Sequence, residues 1–157
     1  MPPFGGARGA RSRNRVFHPV EDLRAFLAGP WQITRRIRDV QQNLTGKLAG
    51  SANFASAPQG LTYDEAGLLR FGSYQGEAAR RYLFIFDRSD MAMVHHADGS
   101  LFHPLGLSAG QDDIQHRCGE DHYRGRYRVL DRDHFAASWD VAGPRKRYRM
   151  ATFYKRG

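Results

Sequence analysis

Between residues 95 and 118 the chain gathers four of its imidazoles, His95, His96, His103 and His116, and its single thiol, Cys118. Imidazoles exchange protons near neutral pH and ligate metals, and a thiolate attacks electrophiles. Spacing decides among these uses. His95 and His96 are adjacent, so in extended chain they face opposite ways and cannot grip one ion. No His-x-His or other ligand spacing accompanies them, so no metal is expected. Cys118 would need a neighbouring base or cation to act as a nucleophile; without one it reads as a small buried hydrophobe. Asp98-Gly99 marks a two-residue hairpin turn, which pairs Ala97 with Ser100, His96 with Leu101 and Val94 with His103. One face is then Val94, His96, Leu101, His103 and Leu105, and the other is Met91, Met93, His95 and Phe102. The first face is taken as interior. The second, with Met93 and Phe102, is equally apolar and stays open as the alternative.

Downstream, His116 and Cys118 share a face opposite Gln115 and Arg117, whereas Tyr123, Gly125, Tyr127 and Val129 oppose Arg124, Arg126 and Arg128. The parity break requires a turn or bulge within residues 119–122. The same alternation turns Arg35, Trp139 and Tyr148 inward. Arg35 alternates with Trp31, Ile33 and Ile37, and a buried guanidinium without an acceptor is very costly, so Asp39 or a ligand carboxylate is expected beside it. Gly143-Pro144-Arg145-Lys146 is a turn whose two cations offer an anion site at a rim. The candidate ligand-binding residues are therefore Arg35, His96, His103, His116, Cys118, Tyr123, Trp139, Arg145, Lys146 and Tyr148. No residue is assigned as catalytic.

What positions these residues is a long two-residue rhythm. Pro19, Glu21 and Asp22, with Val20, Leu23 and Leu27 at helical spacing, predict a short helix over 19–28 that Gly29-Pro30 ends. From Trp31 onward apolar and polar residues alternate. Strands are expected at 31–40, 46–55, 61–64, 68–75, 80–87, 91–96, 100–105, 114–118 running on to 123–129, 134–141 and 146–154, with turns at 64–67, 75–76, 98–99, 131–133 and 142–144. Nine or ten hairpin-linked strands leave no exposed edge only if the sheet closes. The expected fold is mainly β, a closed antiparallel up-and-down barrel of about 9–10 strands with the helix capping one end.

Composition bounds the rest. At 157 residues the chain holds one domain, expected over 18–157 after a disordered basic tail over 1–17. One cysteine forms no disulfide framework, no secretory apolar run opens the chain, and no stretch approaches the roughly 18 apolar residues of a membrane span, so a cytoplasmic, non-membrane protein is expected. The net charge of +8 raises nucleic acid as a partner. Ten of the 24 basic residues lie in 1–15 and 145–157, which contain no acid, leaving 14 against all 16 acids between. Such a body offers no evident phosphate-tracking stripe, and nucleic acid is not the expected partner.

Two resemblances add to this reading. Gly29-Pro30-Trp31 resembles the Gly-x-Trp that opens the first strand of lipocalin-like (calycin) barrels, where the tryptophan stacks on an arginine of the last strand, here Arg149 or Arg156. Phe102-His103 after Asp98-Gly99, His116-x-Cys118-Gly119-x-Asp121-x-Tyr123-Arg124-Gly125, Trp139-x-Val141-x-Gly143-Pro144-Arg145-Lys146 and Thr152-x-Tyr154-Lys155-Arg156 together resemble domain-of-unknown-function family 6314. Arg36-x-x-Asp39 and Leu61-x-Tyr63-x-Glu65-x-Gly67 fit as well. The likeness runs from Leu23 to Arg156 and departs from the family pattern at His96, Ser100 and Arg147. It implies a lipocalin-like fold and carries no activity or ligand.

The function these residues imply is binding of a small, partly apolar molecule with a polar or anionic group, its identity and any cofactor unknown. Two alternatives use the same interior. One is an enzyme with His103 or His116 as general acid–base beside a tyrosine or Arg35; the other binds haem through a pocket histidine, as nitrobindin-like barrels do.

Overall fold

Along the first strand every second side chain disappears from solvent: Trp31, Ile33 and Arg35 are buried while Gln32, Thr34 and Arg36 are exposed. That alternation recurs around the molecule. The computed structural model describes residues 16–157; residues 1–15, most of the expected tail, lie outside the described residues. A short helix α1 (Leu23–Leu27) is followed by ten strands: β1 (Gly29–Asp39), β2 (Leu44–Ala57), β3 (Gly60–Phe71), β4 (Tyr74–Arg88), β5 (Met91–His96), β6 (Leu101–Gly106), β7 (Gln111–Cys118), β8 (Asp121–Asp131), β9 (His134–Ala142) and β10 (Arg147–Arg156).

All neighbours are antiparallel, in the order β6-β5-β4-β3-β2-β1-β10-β9-β8-β7. First and last strands pair from Trp31 with Arg156 to Asp39 with Tyr148, which closes the chain ends into one sheet. The ring is therefore a nearly closed barrel. Its one interruption is between β6 and β7, which share no ladder and are linked at one end by Gly106 N–H donating to Asp112 Oδ2 at 3.0 Å.

The helix seals the end where β1 begins. Asp22 caps it by accepting from Ala25 N–H at 2.9 Å, and Leu23 and Leu27 are fully buried against the lumen. It is shorter than the predicted 19–28, because Glu21 and Asp22 precede the first turn rather than forming it. Trp31 donates from Nε1 to the Leu27 carbonyl at 2.8 Å and packs edge-on against Phe135, 4.9 Å between ring centres. Its other partner is Arg156, whose guanidinium lies 4.2 Å from the ring centre. Of the two arginines considered, Arg149 instead points outward to Asp140. No described helix is long and apolar enough to cross a membrane.

Three local expectations are corrected. The predicted turn at 64–67 is the middle of one continuous strand, β3, and the reversal comes at Gly72, whose positive φ of 58° suits glycine. Gly67 serves another purpose: it lies opposite Gly50, and a Cβ on either would run into the backbone of the other strand. In the β5–β6 hairpin the register slips between Val94 and His95. Val94 pairs with His103 as expected, but His95, not His96, pairs with Leu101. The bulge throws Leu101 outward and lets both Phe102 and His103 face the lumen. Cys118, expected to be buried, is exposed at the end of β7.

Candidate ligand site

The polar centre of the lumen is built by strand register. Arg35 lies across from Thr152 on one side, and Glu65 lies across from Arg80 on another. Arg35 donates from Nε to Thr152 Oγ1 at 2.7 Å and grips Glu65 with both terminal nitrogens at 2.6 and 2.8 Å. Arg80 Nε donates to the same carboxylate at 2.6 Å, and its Nη1 reaches the Tyr82 hydroxyl at 3.2 Å. The Tyr63 hydroxyl completes the shell of Glu65 and meets that of Tyr154 at 3.0 Å. Burial alone would raise the Glu65 carboxyl. The Arg35 fork and the positive charges of Arg80 and Arg35 outweigh it and hold the group at about 2. Tyr63 and Tyr154 are pushed up by burial and stay protonated.

Two guanidinium groups thus share one carboxylate, leaving one positive charge in excess. Arg35 and Glu65 side chains are 5% and 3% exposed, but that of Arg80 is 34% exposed. It is the member of the cluster that faces open space, and that space has two parts. An inner chamber of about 60 Å3 is bounded by Arg80 with Tyr63, Phe84, His103 and Tyr127, and it reaches down to Leu27. A vestibule of about 290 Å3 opens toward the end away from α1 and is lined by His96, His116, Cys118, Tyr123 and Tyr148. Arg80, Tyr82, Phe102, Trp139 and Met150 border both.

Phe102 forms the partition. Its ring stacks on His96 at 4.6 Å and 19°, and has His103, Trp139 and His116 within 4.8, 5.1 and 5.5 Å. Trp139 reaches the lumen because its cross-strand neighbour is Gly125; a Cβ there would come within 2.6 Å of the indole. Behind the partition His103 is 3% exposed. Its Nδ1 lies 2.8 Å from the Pro104 carbonyl, which can only accept, so Nδ1 carries the proton and Nε2 is an acceptor. Burial, aided by His116 and His96, outweighs that hydrogen bond and lowers the imidazole to about 4.

Of the residues expected at the site, Arg35, His103 and Trp139 border the chamber, and His96, His116, Cys118, Tyr123 and Tyr148 the vestibule, with Trp139 in both. Arg145 and Lys146 are not brought in. Arg145 is exposed, and Lys146 is held at the rim by Asp121 Oδ2 at 3.0 Å and the Tyr123 hydroxyl at 3.4 Å. The acceptor for Arg35 is Glu65, not Asp39, which accepts from Gln42 N–H in the following turn. Sequence reasoning missed Glu65, Arg80 and Tyr82 as site residues and left the facing of Phe102 open. Arg80 was recoverable, since Arg80, Tyr82 and Phe84 alternate toward the same side. Glu65 was hidden by the turn-like Asp64-Glu65-Ala66-Gly67.

A family model described as "Family of unknown function (DUF6314)" matches residues 27–156. No curated protein matches the sequence. Among solved structures, a protein of unknown function from the DUF3598 family of Nostoc punctiforme is similar at 8% identity with a TM-score of 0.59. The match covers 90% of this chain and 51% of that one, so the chain spans about half its length. A redesigned β-barrel, mFAP1, bound to DFHBI, matches at 14% identity over 86% of this chain and 99% of that one, with a TM-score of 0.43. The first likeness supports the barrel fold alone, and the second is too loose to carry more.

Proposed function

The chain belongs to the family of unknown function DUF6314, and from its interior we propose that it is a binding protein for a small, partly apolar molecule bearing an anionic group. The observation that carries this is the unbalanced charge of the Arg35–Glu65–Arg80 cluster, with Arg80 turned into an aromatic-walled cavity. Two partly desolvated guanidinium groups that share one counter-charge carry a cost, and an anionic ligand group beside Arg80 offsets it. The vestibule stands at the small end of the roughly 300–1,000 Å3 typical of ligand pockets. Tyr82, Phe102, Trp139 and Tyr148 give the apolar body flat surfaces, and His103 Nε2 offers an acceptor to a group that enters the chamber.

The other two readings find less support. His103 and His116 meet opposite sides of the Phe102 partition, and an imidazole lowered to about 4 with its Nδ1 proton tied to Pro104 is a poor general acid at neutral pH. The chamber beside His103, about 60 Å3, has room for a few atoms and none for a porphyrin.

Benzoate, indole-3-carboxylate and decanoate, screened by thermal shift and calorimetry against their uncharged amides, test the proposal. At least one acid is expected to raise the melting point more than its amide does. Arg80→Met should abolish that difference while the apo protein stays folded, since Glu65 keeps Arg35 and Tyr63. Equal shifts for acid and amide, or unchanged binding in Arg80→Met, would reject it.

A further inference from the structure

The outer wall carries a second charge asymmetry that the interior does not use. On three adjacent strands, β2, β1 and β10, the outward positions hold Arg36, Arg38, Lys47, Arg147, Arg149 and Lys155 and not one carboxylate. Among the described residues only Arg149 of these six has an ion-pair partner, Asp140 at 2.9 Å. Register aligns the charges across strands. Arg70 of β3, Lys47 of β2 and Arg36 of β1 are consecutive cross-strand neighbours, and Arg38 lies opposite Arg149. Like charges directly opposite destabilise a sheet. The fold asks only for polar residues there, as Gln32, Thr34, Ser51 and Asn53 on the same strands illustrate. Stacked cations held against their own repulsion point to an anion outside the molecule.

The shape of the patch narrows its partner. Arg36, Arg38 and Arg149 surround a shallow recess of about 420 Å3 whose other lining includes the small residues Gly46, Ser138 and Ala151, and one carboxylate, Asp140, which Arg149 neutralises. Guanidinium groups at such a rim can each take a phosphate in bidentate fashion. The row runs across β3, β2, β1 and β10, part of the way around the girth of the barrel, and ends on β9, where Asp140 follows Arg149. A flat bilayer touches a convex wall along a narrow line and cannot follow a row round the curve; a flexible chain of phosphates can. Phe153 of β10, two residues from Ala151 and 55% exposed, stands beside the recess as a stacking surface.

We propose that the outer face of β10, β1, β2 and β3 binds single-stranded nucleic acid through its phosphates. The acid count hid this, because the carboxylates of the body lie in turns, inside the lumen, on other strands, or, for Asp64, farther along β3 in a pair with Arg81.

Fluorescence anisotropy of the full chain with labelled single-stranded DNA and RNA of about 20 nucleotides, a size spanning one or more such sites, tests it across a salt series. A triple variant, Arg36→Ser, Lys47→Ser and Arg38→Ser, is compared with Arg88→Ser, Arg117→Ser and Arg132→Ser, which removes the same charge elsewhere. Arg8, Arg11, Arg13 and Arg15 are common to both. The first triple should weaken binding tenfold or more and reduce the slope of log K on log salt by about 2, three contacts at about 0.7 each. The second should weaken it less than about threefold. Phe153→Ser, which changes no charge, should weaken binding several-fold. Equal losses from the two triples, or duplex DNA or anionic phosphatidylserine vesicles binding as tightly as single strands, would overturn the proposal. A melting point of the first triple at or above wild type verifies that the loss is not unfolding, since the substitutions relieve repulsion.

Discussion

Arg35 and Arg80 contact the same carboxylate, yet their surroundings give them different work. Arg35 spends Nε, Nη1 and Nη2 on Thr152 and Glu65 inside the wall, so it sets the position of Glu65 and has little left for a ligand. Arg80 uses Nε on Glu65 and Nη1 on Tyr82, and it borders both the chamber and the vestibule. His103 illustrates the same division in a neutral group, since the Pro104 carbonyl fixes one nitrogen and the cavity receives the other. This has a consequence for stability against pH. The unfolded chain protonates an imidazole near 6.5, whereas folded His103 does so only at about 4. Above pH 6.5 both states are neutral and the group is without effect. As pH falls through that window the unfolded state takes up a proton that the native state refuses, so stability drops and levels off below about 4. Wild type should therefore lose about 2 kcal/mol more between pH 7 and 4.5 than His103→Phe does, measured by urea unfolding at the two pH values. Parallel losses would mean that His103 titrates freely in the native state.

At the scale of the strand, the ladder that is missing matters as much as those that form. β6 and β7 meet without main-chain pairing, and Gly106 N–H reaches only the side chain of Asp112. Asp112→Ala should cost about 1 kcal/mol by removing that bond. Amides that open only on global unfolding, such as those of β1 and β2, should then exchange about fivefold faster, and those of β6 and the start of β7 should quicken by a similar factor because their local opening breaks the same bond; seam amides left unchanged would deny the bond any part in local opening. The position of the seam was not legible in the sequence, because strand alternation says which face is buried but not which edges find partners. The alternation itself was legible. Trp31, Ile33 and Arg35 on one side of β1 and Arg36 and Arg38 on the other follow from period two alone. What failed did so where one residue changes parity. A bulge after Val94 moved Leu101 out and Phe102 in, and β3 ran through four residues that local chemistry marks as a turn. In both cases tertiary pairing overrode the local signal, and in the second it concealed Glu65, the acceptor that Arg35 was known to require.

Across the whole molecule, the seam and the cavity are one feature. Phe102 belongs to β6, His116 to β7 and Tyr123 to β8, and all three border the vestibule. A molecule seated there touches both sides of the unpaired junction and supplies contacts that the sheet lacks. Hydrogen exchange distinguishes this from binding elsewhere. Amides of β1 and β2 that open only on global unfolding gain protection from any ligand of the native state, about 2.7 kcal/mol at a hundredfold excess over Kd. Amides of β6 and β7 exchange through local opening, and they gain only if that opening breaks the site. With whichever carboxylate gives the larger thermal shift, the seam amides should slow by a factor approaching the hundredfold expected in the core. Protection of β1 and β2 with none in β6 and β7 would place the ligand away from Phe102, and the vestibule would lose its claim to be the site.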